Sequence, residues 1–364
     1  MSLFNKKIYL DYASLTPIDK GVLKMVKKYS SKEYANPSSI YSSGVKAEKA
    51  IEDAKVRIAK ILHAHPDEIV FTSGGTESNN LILQNFQDRQ IIISSIEHSS
   101  IINSARSEKN NIIHIPVDKN GFVDLEYLKK SITAETSLVS IMMVNNEIGT
   151  IEPIHEIAKI VRDANKRFGT KILFHTDACQ TPIHLPIHVE KLGADMISLD
   201  GNKIYGPRGV GMLYIKRVNE NSEKKITRTG TENVPGIMGF AYALELADKM
   251  REKENMRISE LKNFFLNELI KINSNIKING NLENSVPNIL NISIPGIDNE
   301  FFVLQLDVQR VECSTKSACL VDEDESYVLK AMGADSKTSV RFSFGRQTSK
   351  GDLKKVLKII RKVL

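Results

Sequence analysis

Short apolar runs alternate with longer amphipathic stretches along this chain, which is the pattern of an α/β protein. Strands are expected at Ile69 to Thr72, Ile91 to Ser95, Ile112 to Val117, Leu138 to Val144, Lys171 to Asp177, Met196 to Leu199 and Val210 to Ile215. Helical spacing of the apolar positions predicts a helix from Glu77 to Gln84 and another from Ile154 to Phe168, with Gly169 as its stop. From Gly236 to Ile272 the pattern is helical and rich in Glu and Lys. The register then changes. Ile289 to Ile294, Phe301 to Leu306 and Val340 to Phe344 read as strands, and Tyr327 to Met332 and Asp352 to Leu364 as helices. A domain boundary is therefore placed near residue 250, dividing a large unit, 16–250, from a smaller one, 251–364.

Composition narrows the class. The 364 residues, 41% hydrophobic and 26% charged, suffice for a sizeable core. No apolar run is long enough to span a bilayer, and the lysine-containing start lacks the apolar core and cleavage site of a signal peptide, so no membrane contact is expected. Three cysteines (Cys179, Cys313, Cys319) fit a reducing cytoplasm better than a disulfide framework, and their scatter argues against a metal site. The net charge of +6 comes from scattered basic residues, densest at Lys224-Lys225 and on the C-terminal helix, without aromatic interleaving. A solvated helix face explains them more simply than a nucleic-acid footprint.

Chemistry is sought first at the strand ends, because ligands of open α/β sheets bind beyond the carboxyl ends of the strands. Ser73-Gly-Gly-Thr-Glu77 lies between a strand and a helix, where bare backbone N–H groups and a helix N-terminus can cup a phosphate; taken alone, the stretch reads more simply as an ordinary capped turn. Asp177 ends a buried strand and needs a partner, which could be a protonated pyridinium nitrogen or the start of a following helix. Lys203 follows another strand; it is either a solvent lysine or an amine that condenses with an aldehyde. His98 could stack on a flat cofactor and move protons, or be a hydrogen-bonded structural residue. Asn145-Asn146-Glu147 places amides after a further strand. The Gly206-Pro-Arg-Gly-Val-Gly stretch precedes a strand instead of following one, so a dinucleotide loop is rejected. Taken in order, the set matches the needs of one cofactor, pyridoxal 5′-phosphate.

With these residues in view, the sequence resembles the NifS-like cysteine desulfurases. Tyr9-Leu-Asp-Tyr-Ala, Asn36-Pro-Ser-Ser, Thr72-Ser-Gly-Gly-Thr-Glu-Ser-Asn-Asn, Glu97-His98, Val144-Asn-Asn-Glu-Ile-Gly, His175-Thr-Asp-Ala-Cys-Gln and Lys203-Ile-Tyr-Gly-Pro-Arg-Gly carry the likeness. Thr229-Gly-Thr-Glu-Asn-Val-Pro-Gly, Val286-Pro-Asn-Ile-Leu-Asn, Ser317-Ala-Cys and Val340-Arg-Phe-Ser-Phe-Gly-Arg continue it, collinear over nearly the whole chain. The resemblance implies the fold-type-I architecture of pyridoxal-phosphate enzymes. That means a large domain with a mainly parallel sheet flanked by helices, a smaller α+β C-terminal domain, and an N-terminal segment, 1–15, packed with the latter.

It further implies that Lys203 bonds the cofactor, Asp177 faces the ring nitrogen and His98 stacks on the ring. Asn146 and Gln180 would reach the ring oxygen, and Gly75, Thr76 and Asn202 would contact the phosphate, with Thr231 arriving from the second subunit of a homodimer. Arg341, with Asn36, would hold the carboxylate of L-cysteine. Cys319, in a polar stretch after Ser314, would take sulfur as a persulfide and pass it to an acceptor protein, for iron–sulfur assembly or tRNA thiolation, in the cytoplasm. Catalysis would rest on Lys203, Cys319 and His98.

The likeness has gaps. Ser-x-His-Lys is usual before the cofactor lysine, whereas this chain has Asp200-Gly-Asn-Lys, and Asn219 to Ile226 is a charged replacement for a glycine-rich segment. An Asp beside a phosphate dianion repels it unless it turns away or is neutralised. Two other functions stay open: a selenocysteine lyase or related enzyme of the same fold and, on the grounds of these gaps, a degenerate subunit that serves as a partner-binding scaffold.

Overall fold

The computed structural model describes residues 7–86, 89–105, 111–217, 229–317 and 325–364. A short strand β1 (Ile8–Tyr9) leads to helices α1 (Lys20–Ser31) and α2 (Ser42–Leu62). Neither helix is among the elements expected above. On α2, Ala47, Ala50, Ile51, Ala54, Ile58 and Leu62 are buried at helical spacing, so the signal is present but written largely in alanine. Then follow β2 (Ile69–Thr72), α3 (Gly75–Gln84), β3 (Gln90–Ser94), α4 (Ser99–Ala105), β4 (Asn111–Ile115), α5 (Leu125–Ser131) and β5 (Thr136–Ser140). After α6 (Ile154–Phe168), β6 (Leu173–Asp177), α7 (Val189–Leu192), β7 (Met196–Asp200) and β8 (Gly211–Ile215) complete the first unit.

Seven of these strands form one sheet in the order β2-β8-β7-β6-β5-β3-β4. Strand β8 runs antiparallel to both neighbours; the other pairings are parallel. Helices cover both faces, as a parallel sheet requires. The run Ile91-Ile92-Ile93 on β3 shows it: all three side chains are fully buried, Ile92 in one core cluster and its two neighbours in another. Each contributes about 1.5–3 kcal/mol relative to an exposed position. Strand β5 stops at Ser140, short of the expected Val144, and the chain beyond it turns to place Met143 N on the Asp177 carbonyl.

Helix α8 (Val234–Ile272) is unbroken over 39 residues. Asn233 caps it by accepting from Gly236 N, and Pro235 sits in the first turn, where its missing N–H costs nothing. Its first half packs Ile237, Phe240 and Leu244 into the large core. Its second half packs Ile258, Phe265 and Leu269 into a separate core with the later elements. No residue between Ala247 and Ile258 is fully buried, so the helix passes from one core to the other across the position assigned as a boundary.

The remainder comprises β9 (Lys277–Asn279), β10 (Ile289–Ser293), α9 (Asn299–Val308), β11 (Val311–Glu312), α10 (Tyr327–Ala331), β12 (Ser339–Ser343) and α11 (Lys350–Val363). An antiparallel sheet β12-β10-β9 packs on the helices, and β1 pairs with β11, tying the N-terminal segment to this second unit. The strand expected at Phe301 to Leu306 is instead α9. Asp298 caps it by accepting from Phe301 N, and Phe302 and Leu306, four apart, are buried while Phe301, Leu304 and Val308 face solvent. An apolar run without polar contrast hides its period, and the capping Asp was the signal that separated helix from strand.

Candidate active site

The carboxyl ends of β2, β3, β5, β6 and β7 lie along one edge of the large sheet, and there the chain encloses a cavity of about 250 Å³. Ala13, Ser14, Gly75, Thr76, Asn79, His98, Ser100, Met142, Val144, Asn146, Asp177, Cys179, Gln180, Asp200, Asn202, Lys203, Ser317 and Arg341 line it. Nine residues singled out in the sequence are thereby gathered into one place: Lys203, Asp177, His98, Gly75, Thr76, Asn146, Gln180, Asn202 and Arg341. Two are not. Asn36 is exposed and folds back on its own backbone, its Oδ1 accepting from Ser38 N, and Thr231 is exposed just before α8. Neither lines the cavity of the single chain. Cys319 lies outside the described residues.

The last residue of β6, Asp177, is buried. A carboxylate there is tolerable because Asn79 Nδ2 donates to Oδ2 at 2.7 Å and Cys179 N donates to Oδ1 at 3.0 Å. The same Asn79 amide donates to Ser100 Oγ at 2.9 Å. Ser100 Oγ sits 2.8 Å from His98 Nδ1, and Ser100 N donates to that nitrogen as well. With Nδ1 accepting, a neutral His98 carries its proton on Nε2. A chain of hydrogen bonds thus runs from Asp177 through Asn79 and Ser100 to His98. Asn79 was quoted in the sequence only as part of a longer motif, and Ser100 not at all; the signal was that Asn79 stands one helical turn after Gly75 on α3 and shares its face.

Lys203 closes a short 3₁₀ turn after β7 (residues 201–203). Its Nζ donates to the carbonyls of Ser14 at 2.6 Å and Ala13 at 3.1 Å, so the N-terminal segment forms one wall. Gln180 Nε2 donates to the same Ala13 carbonyl. From the second unit, β12 brings Arg341 into the cavity, 1% exposed. Its guanidinium donates to Asp11 Oδ1 at 2.7 Å, Ser14 Oγ at 2.9 Å and the Asn146 carbonyl at 2.8 Å, while Nε is buried without a partner.

Gly75 opens α3, and glycine is needed there: an added Cβ would stand 2.5 Å from Cys179 Sγ. Its N–H, at the helix N-terminus, donates at 2.9 Å to Asp200 Oδ2. Asp200 therefore does not turn away from the expected phosphate cup. Burial pushes its carboxyl above the usual range, against the pull of the Gly75 and Asn202 amides. Burial likewise drives the Cys179 and Cys313 thiols up, so neither is a ready thiolate. Both are half-buried, Cys179 in the cavity wall and Cys313 packed against the second core, and both fit the role of small apolar residues.

The donor set suits a pyridine aldehyde bearing a phosphate. A buried carboxylate with remaining lone pairs (Asp177), an imidazole, an amine and a helix N-terminus line one cavity, and the buried Asn202 Oδ1 there has no partner.

A family model for class-V aminotransferases matches residues 8–356. The chain belongs to that family. It is 40% identical to "Cysteine desulfurase IscS" of Dictyoglomus turgidum, an alignment covering 99% of this chain and 95% of the relative. Among solved structures it is similar to a "NifS-like protein" (32% identity, TM-score 0.89, 98% of this chain and 99% of the other). It is also similar to "SspA in complex with cysteine" (31% identity, TM-score 0.76, 93% and 99%). The class-V assignment fits the mostly parallel sheet and the site at its carboxyl edge.

Proposed function

We propose that this chain is a pyridoxal-phosphate-dependent cysteine desulfurase that converts L-cysteine to L-alanine and leaves the sulfur as a persulfide on Cys319. The observation that carries the proposal is the convergence of Lys203, Asp177, His98 and Arg341 on one cavity. The sequence likeness to cysteine desulfurases over nearly the whole length supports it.

When bound, the cofactor supplies an aldehyde that bonds an amine and a ring that draws electrons from the adjacent carbon. Lys203 would hold the aldehyde, Asp177 would keep the proton on the ring nitrogen, and His98 would cover the ring. Gly75, Thr76 and Asn202 would hold the phosphate, and Asn146 and Gln180 the ring oxygen. Arg341 presents a fork suited to the substrate carboxylate. That pairing competes with the Asp11 contact, so Asp11 sets how tightly the fork is held. Lys203 and His98 are the bases placed to take the Cα proton and return it. The Cys319 thiolate attacks the substrate sulfur; the carbon–sulfur bond breaks and a sulfur–sulfur bond forms. L-cysteine and one thiol thus yield L-alanine and one persulfide, with no outside oxidant. Of the three cysteines, the two described ones are held as thiols by burial, which favours Cys319 as nucleophile.

Asn36 and Thr231 complete the site in this proposal as parts of a homodimer. The exposed apolar side chains Tyr34, Ile40, Tyr41 and Val45 beside Asn36 support it, since such a cluster is costly in water. No helix among the described residues is long and apolar enough to cross a membrane, and the two described cysteines are free; both suit a cytoplasmic enzyme handing sulfur to an acceptor protein.

Mass spectrometry of the protein after exposure to L-cysteine tests the assignment. One added sulfur mapped to Cys319, with alanine released in equal amount, is the expected result. Cys319→Ala should abolish both. Alanine and sulfide production undiminished in that variant would overturn the role of Cys319.

A further inference from the structure

We propose that Asp200 is an internal anion that competes with the cofactor's phosphate for the α3 N-terminus, so that the phosphate docks only as Asp200 takes up a proton. The inference rests on the cofactor assignment above and concerns how this chain receives that cofactor.

The geometry is that of an occupied anion cup. The first amides of a helix have no intrahelical acceptor and lie at the positive end of its dipole. Here the Gly75 amide already has an acceptor, Asp200 Oδ2 at 2.9 Å, while Oδ1 accepts from Asn202 N at 2.9 Å. Asp200 ends β7 and caps the turn that carries Lys203, so the competing carboxylate and the cofactor lysine are three residues apart on one rigid element. The Gly74-Gly75 pair leaves it room: a Cβ on Gly74 would stand 3.1 Å from Asp200 Oδ2.

The charged groups around Asp200 decide the sign. From the end of β6 comes the Asp177 carboxylate, which repels it, and from just beyond that strand the half-buried Cys179 thiol. On α3 the first-turn acid Glu77 is engaged with Ser73 N. On its own turn Lys203 attracts it. Strand β8 offers only the backbone of Gly211. A phosphate dianion would be a further negative group in this pocket, at close range and out of bulk water, where like charges repel strongly. Protonation converts the competitor into a donor: the Asp200 O–H faces a phosphate oxygen, and Gly75 N–H is released to another. Burial already raises the proton affinity of Asp200, which lowers the cost of that step.

Equilibrium titration of the full-length chain, stripped of cofactor, tests this. The chain and its Asp200→Ser and Asp200→Asn variants are titrated with pyridoxal 5′-phosphate and, separately, with pyridoxal. Absorbance of the bound chromophore is the readout. Working at pH about 7 and about 9 keeps both points above the second phosphate ionisation near pH 6. The unsubstituted chain should lose affinity for the phosphorylated cofactor relative to pyridoxal by up to about tenfold per pH unit. Both variants should abolish that relative loss and bind the phosphorylated cofactor about tenfold or more tighter at the higher pH, with pyridoxal unchanged. A ratio of the two affinities that is the same in all three proteins would overturn the proposal. So would variants that bind the phosphorylated cofactor no tighter, or that tighten pyridoxal equally. If none of the three proteins forms a chromophore or a borohydride-trapped adduct with either compound, the cofactor assignment itself fails, and this inference with it.

Discussion

At the scale of single residues, this chain places several carboxyls where water cannot reach them. Glu97 and Glu152 are both buried, and burial pushes each up to about 8. Glu152 accepts from Val123 N through one oxygen, and its other oxygen has no partner. A carboxyl whose proton is held more tightly in the folded chain than in the unfolded one stabilises the fold at low pH. That stability is lost as pH rises from about 4.5 toward about 8. Thermal unfolding should therefore show a decline across this window. Glu152→Gln, which keeps the acceptor and removes the ionisation, should flatten it by an amount on the order of 1–3 kcal/mol. An unchanged slope in the variant would assign the decline to other groups.

Elements act here mainly by fixing where their ends meet. The start of α3 is held against Asp200 at the end of β7 and against Cys179, two residues past Asp177, so closely that Gly75 has no space for a methyl group. Gly75→Ala should cost about 1–3 kcal/mol in chemical denaturation. Since the nearest obstacle is Cys179 Sγ, most of that cost should vanish in a Cys179→Ala background, giving a coupling energy well above additivity. A second junction involves the stretch between β5 and α6. The buried Glu147 accepts from Ser317 N at 3.1 Å through one oxygen and from Ser326 Oγ at 2.6 Å through the other. One carboxylate therefore grips both sides of residues 318–324, which include the proposed nucleophile. Glu147→Ala should leave the absorbance of the bound cofactor intact while lowering persulfide formation on Cys319 by about tenfold or more. Loss of the chromophore together with activity would instead show that Glu147 supports the cofactor pocket.

For the molecule as a whole, the two cores share α8, and the N-terminal segment crosses between them. Asp11, just after β1, pairs with Arg341 of the second unit, while the neighbouring Ala13 and Ser14 carbonyls receive Lys203 of the first. The cavity is thus a junction of three parts of the chain. The exposed apolar stretch near Asn36 gives the assembly a testable surface. Sedimentation should show a dimer, and Ile40→Glu, at a side chain 98% exposed in the single chain, should shift it toward monomer. Weakened cofactor retention in that variant would accompany the loss of Thr231 from the partner's site; a monomeric wild-type chain would rule the assembly out.

The sequence by itself determined the α/β class, most strands of the large sheet and nine of the residues that meet in the cavity, with Arg341, Gln180 and Asn202 supplied by the family resemblance alone. It could do so because buried parallel strands are unbroken apolar runs and because chemistry at strand ends leaves polar residues where turns would otherwise suffice. It did not reveal α1 and α2, whose buried faces rely on alanine and short apolar contrast, or α9, whose apolar residues mask their period. Nor did it show which partner each polar group chooses. Only the tertiary structure decided that Asn79 and Ser100 link Asp177 to His98, that Arg341 is held by Asp11, and that Asp200 sits on the amide of Gly75. Apart from His98 with Ser100, these pairings join residues far apart in the chain. Burial forces each polar atom to find the nearest available partner in space, and that choice is made by packing, which no local pattern encodes.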